Sequence, residues 1–145
     1  MENILVRDLC RRLPYGVRCK CGYSDTIYVL KGINPDCEGA SFMQLTSLAG
    51  ISIDLERVSQ CKPYLYPLSS MTEEQKIECF KGTDIELDEF NEIWSKFPIS
   101  ETDIPITNLS NWLRVLDWLE SHHFDYRGLI EMNLAIDATT LVIYF

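Results

Sequence analysis

Nowhere in this chain do apolar residues run on for the about eighteen positions that a bilayer-crossing helix needs. The opening stretch MENILVRDLCRRLP carries acids and arginines where a secretory leader requires an uninterrupted apolar segment, so a cytoplasmic protein without membrane attachment is expected. Basic residues are scarce as well. Thirteen Lys and Arg face 22 Asp and Glu over 145 residues, a formal charge of -9 that repels phosphate backbones and argues against direct nucleic-acid binding. Histidine occurs only as the adjacent pair His122 and His123, which rules out a HExxH zinc motif. The chain also has no glycine-rich phosphate loop and no GxSxG elbow, so no catalytic residue and no cofactor is expected. Cysteine is the exception to this scarcity. Six are present, and in a reducing compartment they read as free thiols, several of them serving as small buried hydrophobes.

With 46% of residues hydrophobic, the chain can bury the core of one domain spanning residues 1-145. Helical spacing of Ile4, Leu5, Leu9 and Leu13 predicts a helix over 3-13, stopped by Pro14, with Arg7, Asp8, Arg11 and Arg12 off the apolar stripe. Arg11 and Arg12 then read as a solvated helix end, where the dipole favours cations. Val17, Cys19 and Cys21 alternate with Arg18 and Lys20, which is strand periodicity. A first hairpin is expected through residues 22-25. A second turns near Ala49 and Gly50, followed by Ile51, Ile53 and Leu55 alternating with Ser52, Asp54 and Glu56. The strands within 16-57 thus form a four-stranded antiparallel meander. Residues 62-71 read as an extended linker, which Pro63 and Pro67 limit to an edge strand at most.

A helical region is expected over 72-125. Thr72 and Gln75 make a capping box, and that first helix ends near Gly82. Asp84 opens a second helix bearing Leu87, Phe90, Ile93, Trp94 and Phe97 on one stripe. The third carries Leu109, Trp112, Leu113, Leu116 and Leu119, widened by Val115, with Arg114, Asp117, Glu120 and Ser121 elsewhere. Residues 126-145 read as a turn and a candidate final strand in TTLVIYF, and 129-137 fit a helix or a strand equally well. The fold class expected is α+β: a small antiparallel meander packed against N-terminal and C-terminal helices.

SHHFDYRGLI, residues 121-130, is the stretch that looks most like chemistry. Adjacent helical histidines point about 100° apart, so only one could join a site with Asp125. A helix end closed by a glycine turn, with the dipole favouring a charged ring, accounts for the segment more simply. Cys19 and Cys21 face the same way on a strand, and a neighbour could bring Cys37 or Cys61 beside them to complete a zinc site with thiolates or an imidazole. CxC lacks the paired CxxC knuckles of such sites. No metal is therefore expected, and Cys19, Cys21, Cys37, Cys61, His122, His123 and Asp125 are the candidate ligands if one binds. The acids of TEEQKIE and DIELDEFNE sit at helix starts, where the dipole favours them. A contiguous face of them would suit a basic partner protein, including one that normally holds DNA. The function expected is that of a small acidic protein-binding or accessory protein, monomeric or weakly dimeric. The alternative is a small metal-dependent or histidine-assisted hydrolase.

The segments KPYLYPLSSMTEEQK and VLDWLESHHFDYRGLIEMNLAIDA resemble two signatures of a set of small proteins from gut Bacteroidetes and their phages or integrated mobile elements. The resemblance spans residues 3-138 and is clearest over 62-75 and 117-138. It implies a cytoplasmic protein tied to mobile DNA; taken with the acidic face, the expected action is on a host or phage protein. It carries no activity or catalytic residue, and it does not extend to TTLVIYF.

Overall fold

The computed structural model describes residues 2-22, 26-35, 41-47, 52-57, 60-83 and 109-140. Among the described residues, three α-helices, α1 (Glu2–Arg12), α2 (Glu73–Phe80) and α3 (Leu109–Ser121), accompany strands β1 (Arg18–Cys21), β2 (Ile27–Pro35), β3 (Ser41–Ser47), β4 (Ser52–Arg57), β5 (Cys61–Pro67), β6 (Phe124–Asp125) and β7 (Ile136–Asp137). The fold is α+β. The strands order as β4-β3-β2-β1-β5-β6, with β7 also paired to β5. β1 to β4 make the antiparallel meander read from the alternation of residues, whereas β6 and β7 join β5 in parallel, so the sheet is mixed.

β5 departs from the expected linker and edge strand, because it lies between β1 and β6. The register explains how it tolerates Pro63. Gly22 N donates to Gln60 O at 2.7 Å, which makes that pair hydrogen-bonded; by alternation, Cys21 opposite Cys61 and Cys19 opposite Pro63 are non-hydrogen-bonded pairs. Proline at such a position removes no bond from the β1 ladder.

α1 buries Leu5 and Leu9 against Val17, Cys19 and Leu30 of the meander and Leu65 of β5. A second cluster joins Met71, Phe80, Trp112, Val115, Leu116, Leu119, Phe124 and Tyr126. The capping box of α2 is formed, with Gln75 N donating to Thr72 Oγ1 at 3.1 Å and Thr72 N to Gln75 Oε1 at 2.9 Å. On α3, Trp112, Val115, Leu116 and Leu119 face inward as expected, but Leu113 is 43% exposed and does not belong to the buried stripe. The helical region expected over 72-125 gives way to a turn at His122 and His123 and then to β6. Residues 129-133 are a series of turns leading to β7. The expected helix from Asp84, the turn at Ala49 and Gly50, Cys37, and TTLVIYF beyond Thr140 lie outside the described residues.

Candidate functional site

Five ionisable side chains expected at the surface or left without a role are buried together where α1, α3 and the segment after α3 meet. Asp8 and Arg12 are each 0% exposed, and Glu120 is 1% exposed. Asp8 accepts from Arg12 Nε at 2.7 Å and from Arg127 Nε at 3.1 Å. Arg127 Nη2 donates to the Tyr126 hydroxyl at 3.0 Å, and that hydroxyl donates to Glu120 Oε1 at 3.2 Å. Arg11 Nε closes the chain on Glu120 at 2.7 and 3.0 Å. Arg12 Nη2 reaches Phe124 O at 2.6 Å, and both Arg12 and Arg127 lie over the Tyr126 ring. Burial raises the Tyr126 phenol well above its ordinary value, and the nearby arginines only partly offset this. The solvated end expected for α1 and the outward Glu120 are therefore corrected: Arg12 and Glu120 are buried with partners of opposite sign, and the partly exposed Arg11 is held on Glu120. The signal was present in the spacing. Positions 5, 8, 9 and 12 form one helical face, as do 112, 116, 119 and 120.

The histidines at the end of α3 part company. His122 is exposed and stacks on the Trp118 ring at 3.9 Å between centroids, with its Nδ1 2.9 Å from Trp118 O. His123 turns inward with a φ of 64°, the left-handed conformation that usually falls to glycine just past a helix. Its carbonyl accepts from Tyr66 N at 2.8 Å, and its Nδ1 is buried with no hydrogen-bond partner. Burial, then the nearby charges of Arg12, His122 and Arg18, lower its pKa to about 4. The ring is neutral, contrary to the expected charged helix end. Asp125 is engaged locally, accepting from Leu129 N at 3.0 Å and Ile130 N at 2.9 Å.

His123 opens onto a cavity of about 210 Å³ lined also by Tyr15, Gly16, Arg18, Tyr64, Tyr66 and Ala138. Among the described residues no carboxylate lines it. Tyr15, on its rim, donates its hydroxyl to Asp117, which raises the phenol's pKa. A second, more open depression of about 420 Å³ lies between Tyr66, Phe124 and His122 on one side and Ser70, Thr72, Gln75 and Thr139 on the other.

The cysteine candidates are only partly brought together. Cys21 and Cys61 face each other at 2.9 Å between sulfurs, both buried, and Cys19 lies on the same strand face. Cys19 is raised well above the ordinary thiol range by burial, and Cys79 is raised by burial to about 12, so neither is a thiolate at neutral pH. His122 and Asp125 are engaged elsewhere, His123 lies at the cavity, and among the described residues no three His, Cys, Asp or Glu side chains converge as a metal site. No helix among the described residues is long and apolar enough to cross a membrane. No protein-family model, curated protein or solved structure matches this chain.

Proposed function

We propose that this is a binding protein that engages a basic protein partner through the outer face of α2, in keeping with the mobile-element setting that the resemblance implies. One observation carries the reading. Ile77 is 67% exposed on α2, among the exposed acids Glu73, Glu74 and Glu78. A large apolar side chain ringed by carboxylates suits a partner that offers a small apolar recess between lysines or arginines. Charge accounting supports it. The buried acids Asp8, Glu120 and Asp125 are matched in number by Arg11, Arg12 and Arg127, so the formal charge of -9 belongs to the rest of the chain. The hydrolase alternative gains nothing from the histidines, since neither is hydrogen-bonded to a carboxylate.

The test is affinity capture from the source cells on the immobilised full chain, eluted with a salt gradient, beside an Ile77→Asp and a Glu74→Lys variant. Both substitutions are on the surface and should leave the unfolding midpoint unchanged. A discrete basic protein should be retained by the parent chain, released by salt, and lost from both variants. Retention of the same proteins by all three chains would remove α2 from the reading.

A further inference from the structure

We propose that Cys21 and Cys61 are a dithiol that hydrogen peroxide closes to a reversible disulfide between β1 and β5. The inference stands apart from the partner reading, which concerns α2.

The strand register carries it. Cys21 lies directly across from Cys61 in an antiparallel, non-hydrogen-bonded pair. Such a pair holds its Cα atoms about 4.5 Å apart, inside the range of about 4.4 to 6.8 Å that a disulfide spans, and directs both side chains to one face of the sheet. The side chains complete what the backbone allows. Their sulfurs stand 2.9 Å apart, nearer than the about 3.5 to 4.0 Å at which non-bonded carbon atoms rest, although sulfur is the larger atom.

Register also makes the pair specific. Cys19 shares the inward face of β1, but Pro63 stands opposite it, and burial keeps its thiol protonated. Cys10 and Cys79 lie on α1 and α2. Among the described cysteines, then, one pair faces across a strand boundary. Slippage of β5 by one residue would separate the sulfurs and move Pro63 to a hydrogen-bonded position, so the pairing that tolerates the proline is the one that aligns the thiols.

Both side chains are buried, which favours an oxidant as small as hydrogen peroxide over a bulky disulfide that must line up three sulfurs. Cys21 is the nearer to solvent, at the end of β1, where Gly22 turns the chain out of the strand with a φ of 57°. Its sulfur, as the thiolate, attacks one peroxide oxygen; the O–O bond breaks, and the departing hydroxide takes up the thiol's proton as water, leaving a sulfenic acid. The Cys61 sulfur then gives up its proton and attacks that sulfur; the S–S bond forms, the S–O bond breaks, and a second water leaves. Two thiols are oxidised and one peroxide is reduced to two waters. Dithiothreitol reverses the change, itself oxidised to its cyclic disulfide. The bridge closes a loop containing β2, β3 and β4 and ties the meander to β5, on which β6 and β7 pair.

Peptide mapping of the full chain, treated with hydrogen peroxide at low protein concentration, quenched and alkylated, tests the proposal. Cleavage after Lys and Arg places Cys19, Cys21 and Cys61 on separate peptides, 19-20, 21-31 and 58-76, because Lys20 divides the first two and Lys62 precedes a proline. Peptides 21-31 and 58-76 should appear joined in most chains at a peroxide dose that leaves Cys19 and Cys79 reduced, and dithiothreitol should separate them. The joined chain should unfold about 5 °C or more above the reduced one, since the bridge constrains the unfolded state. Cys61→Ala, or Cys21→Ala should the first fold poorly, should show no such rise after the same treatment. Absence of the joined peptides, joining of either one to the peptide bearing Cys19 or Cys37 in equal or greater yield, or a joined chain no more stable than the reduced one would overturn the assignment.

Discussion

His123 shows how much one side chain depends on its surroundings. Its neighbour His122 lies against the outer Trp118 ring, whereas one further step of backbone in the left-handed region turns His123 into the fold beside Arg12 of α1 and Arg18 of β1. Burial and those charges favour the neutral ring, so the folded pKa is about 4 against an ordinary 6.5. The unfolded chain therefore takes up the proton first as pH falls. The contribution to stability is fully present above pH 6.5, fades down to about pH 4, and is absent below it. At full extent it amounts to about 3 kcal/mol. Denaturant unfolding across this window should show the parent chain losing stability relative to His123→Asn by roughly that amount. Parallel curves for the two would mean that folding leaves the pKa of the ring unshifted.

At the scale of the element, α3 shows what periodicity reads well and where it misleads. Trp112, Val115, Leu116 and Leu119 recur at the spacing of one face and are buried on it, while Leu113 is one step off and exposed despite being a leucine. Leu116→Ala should cost about 2 to 4 kcal/mol, and Leu113→Ala under about 0.5 kcal/mol. The Leu116 loss should not change with protein concentration, because its partners lie within the same chain. Equal effects at the two positions in a denaturation series would put the face elsewhere. β5 presents the opposite problem. Its prolines read as marks of an edge, but Pro63 faces Cys19 across a non-hydrogen-bonded pair, a fact about strand pairing that no local pattern contains.

For the molecule as a whole, the buried ionic network ties the first helix to the segment after α3. Asp8 and Arg127 are 119 positions apart, and their contact is what makes burying either one tolerable. Asp8→Ala leaves Arg12 and Arg127 buried without their shared carboxylate, and a loss of about 3 to 5 kcal/mol is expected. The neighbouring Arg7→Ala, off the 5, 8, 9, 12 face, supplies the control, with a change under about 0.5 kcal/mol. If thermal or denaturant unfolding found the two variants alike, the network would carry no net stability.

The α+β class, the antiparallel meander, the inward face of Cys19 and Cys21 and the capping box of α2 all followed from the chain's own pattern. Each rests on local geometry: the two-residue period of a strand, the turn of a helix, or a hydroxyl three residues from an amide. Tertiary structure alone decided the fate of the charged residues on the buried faces and the place of β5 in the sheet. It also brought Tyr15, Arg18, Tyr64, Tyr66 and His123 around one cavity. The reason is electrostatic as well as topological. A charge read in isolation belongs in water, because desolvating it is costly, and only a partner supplied from a distant part of the chain reverses that sign. Asp8 and Arg12 stood at core positions by spacing, and the guanidinium of Arg127 made those positions tenable.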